Sequence, residues 1–234
     1  MVSPLVSSQV MFEQEQYSFS ASARPHLVIL HPQEITRESQ VRLIAHLCPS
    51  AEIVSYRSAA EIPDMGPRSL VKVVVAELNL RLEECGLSAF ELLKKKLPLA
   101  KILALSPLTE RQMGLAAFRV GADAYLPTSA TLDELSSALA SLLRGEGYIS
   151  TEMAAVLADE AQGKSPRNGF ARLSPRELEV MRHLIWGMQL KSVAAKLGLN
   201  IRTASCYKRN ALNKLGMDSI AEVVRYGSEH GLTV

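Results

Sequence analysis

LSPRELEVMRHLIWGMQLKSVAAKLGLNIRTASCYKRNALNKLG, residues 173–216, carries the start and stop signals of three consecutive helices. Ser174 is placed to accept from the amide of Glu177 while the Glu177 carboxylate reaches back to the amide of Ser174, a capping box. Pro175 sits in the first turn, where its missing N–H costs nothing. Leu173 and Leu178 form a hydrophobic staple, and Leu178, Met181, Leu184 and Ile185 repeat at helical spacing until Gly187. This helix is expected to bury one stripe. A second helix is expected over residues 190–197, with Val193, Ala194 and Leu197 inward and Gly198 as its stop. Asn200 is a good N-cap for the third. Two short helices joined by a brief turn make a helix-turn-helix unit.

A helical wheel of residues 201–215 sends Ala204, Tyr207, Ala211 and Leu215 to one side and Arg202, Ser205, Cys206, Arg209 and Asn213 to the other. The outward face is polar and cationic. Lys208 and Lys214 lie on its flanks, where long ammonium stems reach phosphates, while Ser205, Cys206 and Arg209 face base edges of a major groove. A charged stripe is more often a solvated face. Here the caps, the turns and the outward charge agree over the whole segment, which favours double-stranded DNA as the partner.

The segment resembles the effector domain of the NarL/LuxR-type transcription factors, and its Thr-Ala-Ser-Cys-Tyr-Lys-Arg run, residues 203–209, is most similar to the capsule-regulator (Rcs) branch. That resemblance implies a four-helix domain over residues 171–234 that reads DNA with its third helix. It places base-reading positions on Ser205, Cys206 and Arg209, and phosphate contacts on Lys191, Thr203, Lys208 and Lys214. The outward Arg202 joins this surface. The family often has Val at Ala204 and His at Tyr207. The dimer helix falls after Ser219, where Ser219 and Glu222 make a second capping box and Ile220, Val223 and Val224 form an apolar stripe expected to meet a second copy.

Charge divides along the same line. Residues 165–234 carry 11 Lys+Arg against 5 Asp+Glu, and residues 1–164 carry 15 against 19, so a net charge of +2 hides a basic C-terminal unit beside an acidic N-terminal one. Such a patch is the footprint of a polyanion. Membrane surfaces attract basic patches too, but the cations here sit on a compact capped unit without a lipidation motif.

At 234 residues the chain has room for two ordinary domains. Cys48, Cys85 and Cys206 are scattered and odd in number, with neither a disulfide framework nor metal-ligand spacing, as expected in a reducing cytosol. No signal sequence or membrane-crossing apolar run is read, and a cytoplasmic protein is expected. Residues 1–24 read as a flexible tail, 25–148 as an α/β domain, 149–170 as a linker holding a short helix over 151–161, and 171–234 as the DNA-binding domain.

Residues 25–148 alternate short apolar runs with helical patterns: 26–30 then 33–47, 52–56 then a poor helix near Ala59, 71–76 then 87–97, 101–105 then 109–120, and 122–126 then 132–144. Five such units imply a five-stranded parallel, doubly wound sheet with helices on both faces. Ligands and chemistry gather at the carboxyl ends of such strands. The pattern, and Gly121-Ala-Asp-Ala-Tyr-Leu-Pro-Thr-Ser-Ala130 in particular, resembles a response-regulator receiver domain of a two-component system. Receivers hold Mg²⁺ with an acidic pair after the first strand. They accept phosphoryl on an Asp after the third and use Ser/Thr after the fourth and Lys after the fifth. The matching positions here are His31-Pro32, Glu77, Ser106 and Thr128. Only the hydroxyl survives, so the resemblance implies a pseudo-receiver that lacks the charge to hold Mg²⁺ or to stabilise a transferring phosphoryl group.

Glu77 extends a carboxylate to where an acyl-phosphate oxygen begins. It is either a standing mimic of phosphorylation or a strand-end carboxylate with no signalling role. His31 is placed to pair with it and staple the pocket; a metal site there is not expected. Tyr125 stands at the receiver's switch aromatic, pointing inward or outward. No phosphate-cradling glycine loop or nucleophile elbow is present, and His26, His31 and His46 lack a triad partner, so neither an enzyme nor a cofactor is expected. A sigma-factor-like subunit needs a helical promoter-opening domain where this chain has an α/β one. The function expected is sequence-specific transcription regulation by an atypical response regulator acting without aspartyl phosphorylation. The partners expected are DNA, a second copy and RNA polymerase. The alternative is an auxiliary regulator whose pseudo-receiver heterodimerises with another regulator or senses a small ligand.

Overall fold

The computed structural model describes residues 25–64, 70–79, 86–162 and 170–229. The tail read at 1–24, Cys85 and the linker stretch 163–169 lie outside them. Five parallel strands, β1 (His26–Leu30), β2 (Glu52–Tyr56), β3 (Val71–Glu77), β4 (Lys101–Ser106) and β5 (Ala124–Pro127), form one sheet in the order β2-β1-β3-β4-β5. Strand side chains alternate between two cores, as the pleat dictates. Leu27, Ile29, Val73, Val75, Leu103, Ala124 and Leu126 face α1 (Glu34–Leu47) and α4 (Leu132–Leu143). Val28, Leu30, Val74, Ala76, Ile102, Ala104 and Tyr125 face α2 (Leu87–Lys96) and α3 (Leu115–Arg119).

Two expected helices differ. No helix forms near Ala59; the stretch makes turns, with Ala59 and Ile62 inserted into the core and the Lys96 ammonium donating to the carbonyls of Ala60 and Ile62. The helix expected over 109–120 opens instead as a π-helix, Glu110–Gly114, before α3 continues it. The wider turn, together with Gly114, makes room for Met153 of the next helix: a Cβ on Gly114 would stand 2.6 Å from Met153 Sδ. That next helix, α5 (Thr151–Ala161), is the one read from sequence in the linker. It is tied to the receiver by a buried Ser150–Glu110 hydrogen bond of 3.0 Å and by ion pairs of Arg111 with Glu152 and Asp159 and of Arg119 with Glu160.

The C-terminal unit follows the sequence closely: α6 (Pro175–Ile185), α7 (Leu190–Lys196), α8 (Ile201–Leu215) and α9 (Ile220–Glu229). Both halves of the Ser174–Glu177 capping box are present, Asn200 Oδ1 accepts from the Arg202 amide at 2.8 Å, and Gly216 ends α8 in the left-handed region at φ 66°.

One expectation about α6 is corrected. Besides its apolar stripe it buries Glu177, Glu179, Arg182 and His183, so every residue from 177 to 184 is covered. For Arg182 the reason lies in the other domain. Arg182 packs so closely on Gly86, at the start of α2, that a Cβ there would stand 2.4 Å from Arg182 Nη1. The guanidinium also stacks 5.2 Å from the Trp186 ring. Beside it the short 3₁₀ turn Phe170–Arg172 lies against the π-helix and α3, and Phe170 meets Tyr226 of α9 with ring centroids 5.9 Å apart. A single apolar core therefore runs from α2 and β4 through Phe170 and Leu173 into α6, α8 and α9.

Candidate nucleic-acid interface and altered receiver pocket

α6 and α7 both pack against α8, which turns Ala204, Ala211, Leu212 and Leu215 inward. Tyr207 is half-buried against the same core, in keeping with the wheel. The opposite side is open: Ile201, Arg202, Thr203, Ser205, Cys206, Arg209, Asn210 and Asn213 are exposed. Among the described residues, the side chains of Lys191, Arg202, Thr203, Ser205, Lys208 and Arg209 have neither a hydrogen-bond nor an ion-pair partner. The cations are thus uncommitted, Arg202, Lys208 and Arg209 on the capped α8 and Lys191 on α7, as a surface for phosphates requires. Along one flank Ser205, Lys208, Arg209 and Asn213 line a shallow groove of about 290 Å³.

Lys214 is placed differently. Its ammonium lies 2.7 Å from Glu177 Oε2, joining the last turn of α8 to the cap of α6. Burial opposes the charge on Glu177, but the Lys214 ammonium and the Ser174 amide outweigh it and hold the carboxyl below the usual range. The apolar stripe of α9 is also largely spent at home. Val223 is fully buried in the domain's own core and Ile220 packs against it, leaving Val224 half-buried. Val223 is therefore not a surface residue, because α6 needs it as a lid for its apolar stripe.

The sheet brings His31, Glu77, Ser106 and Thr128 to one edge, at the carboxyl ends of β1, β3, β4 and β5. His31 Nε2 contacts Glu77 Oε2, and Asn79 Nδ2 donates to Glu77 Oε1 at 2.7 Å, so both carboxylate oxygens are taken. His31 Nδ1 lies 3.0 Å from the Gln33 amide and 3.2 Å from the Gln33 carbonyl, which fixes the ring with Nε2 facing Glu77. Arg37 holds the His31 carbonyl at 2.9 Å. Burial opposes ionisation of Glu77, yet its bonds to His31 and Asn79 and the charge of His31 hold its carboxyl below the usual range. Gln33, Arg37 and Asn79 had no signal in the sequence, since each matters only through a neighbour that the fold supplies.

Ser106 is wholly buried and its hydroxyl accepts from the Leu108 amide at 3.3 Å. Tyr125 points inward, its hydroxyl donating to the Leu108 carbonyl at 2.7 Å, and burial pushes its pKa up. Thr128 is exposed and its amide donates to the Ser106 carbonyl at 2.7 Å. This donor set does not fit Mg²⁺. The cation asks for several oxygen ligands in octahedral geometry, and among the described residues the receiver positions His31, Glu77, Ser106 and Thr128 offer one carboxylate, which already accepts from His31 and Asn79. Among the described residues no cluster of three or more His, Cys, Asp or Glu side chains is placed to hold a metal, and no helix is long and apolar enough to cross a membrane.

An α/β domain of receiver topology followed by a capped helix-turn-helix defines a class: response regulators whose effector binds DNA. The profile of the family described as "Bacterial regulatory proteins, luxR family" matches residues 171–227. The chain is 31% identical over 167 residues to the Fimbriae Z protein of Salmonella typhimurium, covering 69% of this chain and 76% of that one. It is 28% identical over 169 residues to the transcriptional regulatory protein MctR of Rhizobium johnstonii, covering 72% and 77%. The chain belongs to the LuxR-family response regulators, which are DNA-binding regulators of transcription. Its fold is shared with RcsB of Salmonella enterica serovar Typhimurium, solved bound to promoter rprA in the presence of a phosphomimetic, with a TM-score of 0.69, 20% identity, and 88% of this chain and 98% of that one aligned.

Proposed function

We propose that this chain is a sequence-specific transcription regulator whose pseudo-receiver acts without aspartyl phosphorylation. The observation that carries the proposal is the closed phosphoacceptor edge: Glu77 stands at the acceptor position with both oxygens bonded, to His31 and Asn79. Thr128 stands where a cation would compensate a transferring phosphoryl group. Tyr125 is already buried and bonded inward without a phosphoryl group in the pocket.

On the DNA side, Ser205, Cys206 and Arg209 read base edges, while Lys191, Arg202, Thr203 and Lys208 hold phosphates. Lys214 serves the Glu177 bridge first. RcsB has been solved as two dimers bound to two parallel DNAs; by analogy this chain binds as a dimer on half-sites about 10 base pairs apart. With Val223 sealed inside, Ile220 and Val224 are what α9 has left of its apolar stripe for a second copy. RNA polymerase and a second regulator are further partners in this reading, in the cytoplasm. Heterodimerisation and ligand sensing through the pseudo-receiver remain the other route by which the altered domain would control the effector.

The test is DNA affinity of the purified chain with and without acetyl phosphate and Mg²⁺, alongside intact mass. Unchanged affinity and no adduct are expected. A phosphoryl adduct on the pseudo-receiver that shifts affinity tenfold, about 1.4 kcal/mol, overturns the proposal.

A further inference from the structure

Asn210 is assigned no role by the family resemblance, yet it lies on the open face of α8, one turn beyond Cys206. Its carboxamide has one hydrogen-bond partner among the described residues: Nδ2 donates to Cys206 Sγ at 3.7 Å. A thiol sulfur is a weak acceptor, strong enough to orient an amide and too weak to satisfy it. An amide nitrogen carries two hydrogens. With the hydrogen anti to Oδ1 turned to Cys206, the other stands beside Oδ1, so that this exposed side chain offers an adjacent donor and acceptor pair.

That pair has a specific complement in duplex DNA. Phosphate oxygens only accept, so they use half of it. Adenine presents in the major groove an acceptor, N7, beside a donor, N6–H, and Asn bonds this edge bidentately. The neighbours fit the same arrangement: Arg209, with no partner of its own among the described residues, is the guanine-reading type, and the flanking Lys208 is the phosphate-binding type. We propose that Asn210, oriented by Cys206, is a specificity-determining residue that selects adenine at one position of each half-site. This rests on α8 being the DNA-reading helix, as proposed above.

The experiment is selection of binding sites from a randomised duplex pool by the full-length protein, at one fixed salt concentration, for the wild type, Asn210→Ala and Asn210→Asp. The wild type is expected to enrich a motif with one strongly preferred adenine per half-site. Asn210→Ala should lose at least tenfold of the preference at that base pair alone, with the rest of the motif, the salt dependence and the melting temperature unchanged. Asn210→Asp, which keeps the acceptor and loses the donor, should move the preference toward cytosine, whose N4 amine donates. A wild-type motif from Asn210→Ala, or an affinity loss equal on all sequences, overturns the assignment while leaving α8 as the reading helix. Failure of the wild type to enrich any motif overturns the DNA reading itself and this inference with it.

Discussion

Lys214 Nζ sits 2.7 Å from Glu177 Oε2, the same oxygen that accepts the Ser174 amide at 2.7 Å, so one carboxylate closes the α6 cap and anchors the end of α8. The bridge makes Lys214 a structural cation in a helix whose other cations are free. Lys214→Met is therefore expected to lower stability by about 1–2 kcal/mol, discounted because the Lys214 side chain is 42% exposed, and to leave Glu177 buried without its counter-charge. Lys208→Ala is expected to leave stability unchanged and to reduce the log–log salt dependence of DNA binding by about one. Urea unfolding and salt titration separate the two. Equal effects of both variants on both readouts would contradict the division.

Acid sensitivity follows from three carboxyls held below their ordinary values. Burial opposes the charge on Glu77, Asp123 and Glu177, but bonds to cations, amides and His31 outweigh it. A folded-state pKa below the unfolded one adds stability that is present above the unfolded value and is lost as pH falls through the folded one. These groups should thus contribute fully near neutrality and fade below about pH 4, the ordinary carboxylate range. For Asp123 the donors are Lys94 Nζ at 2.8 Å, Lys101 Nζ at 2.9 Å and the Ile102 amide at 3.0 Å. Asp123→Asn is expected to lower stability near neutrality and to lose less of it on acidification than the wild type, measured by urea unfolding across pH. A steeper acid loss in the variant would contradict this.

The continuity of the core predicts coupled unfolding of the two domains. Phe170 is 1% exposed and joins the π-helix region to Tyr226. Phe170→Ala is expected to cost about 3–5 kcal/mol, in line with truncation of a buried aromatic. It should also split one calorimetric transition into two as the effector loses its footing on the receiver. A single transition merely shifted to lower temperature would count against coupling through this residue.

Glu77→Gln distinguishes a structural carboxylate from a phosphate mimic. With His31 and Asn79 occupying both oxygens, the expected result is a stability loss of about 1–3 kcal/mol and DNA affinity within about twofold of wild type, below the tenfold that 1.4 kcal/mol represents. Loss of specific DNA binding by a folded Glu77→Gln protein would assign the mimic role instead. Thermal melting and a gel-shift titration on the same preparation give both numbers.

The capping chemistry of Ser174, Glu177, Asn200 and Gly216 and the outward face of Arg202, Cys206 and Arg209 are local, so periodicity and residue type were enough to place α6, α7 and α8. The five-stranded parallel sheet followed likewise from strand and helix alternation, its strand order is settled by the tertiary structure, and the resemblance to receivers placed the loss of the acidic pair at His31 and Pro32. The turns at Ala59 and the π-helix at Glu110–Gly114 were not legible there, because each answers to a partner distant in sequence, Lys96 and Met153 respectively. The same holds for the site. That Lys214 is committed to Glu177, that Val223 is core and that Asn79 completes the hold on Glu77 depend on contacts between elements. Sequence by itself determined which side chains this protein owns and which helix presents them. The tertiary structure decided which of them are already spent, since an ion pair or a buried methyl group is settled by distance in space and leaves no periodic trace along the chain.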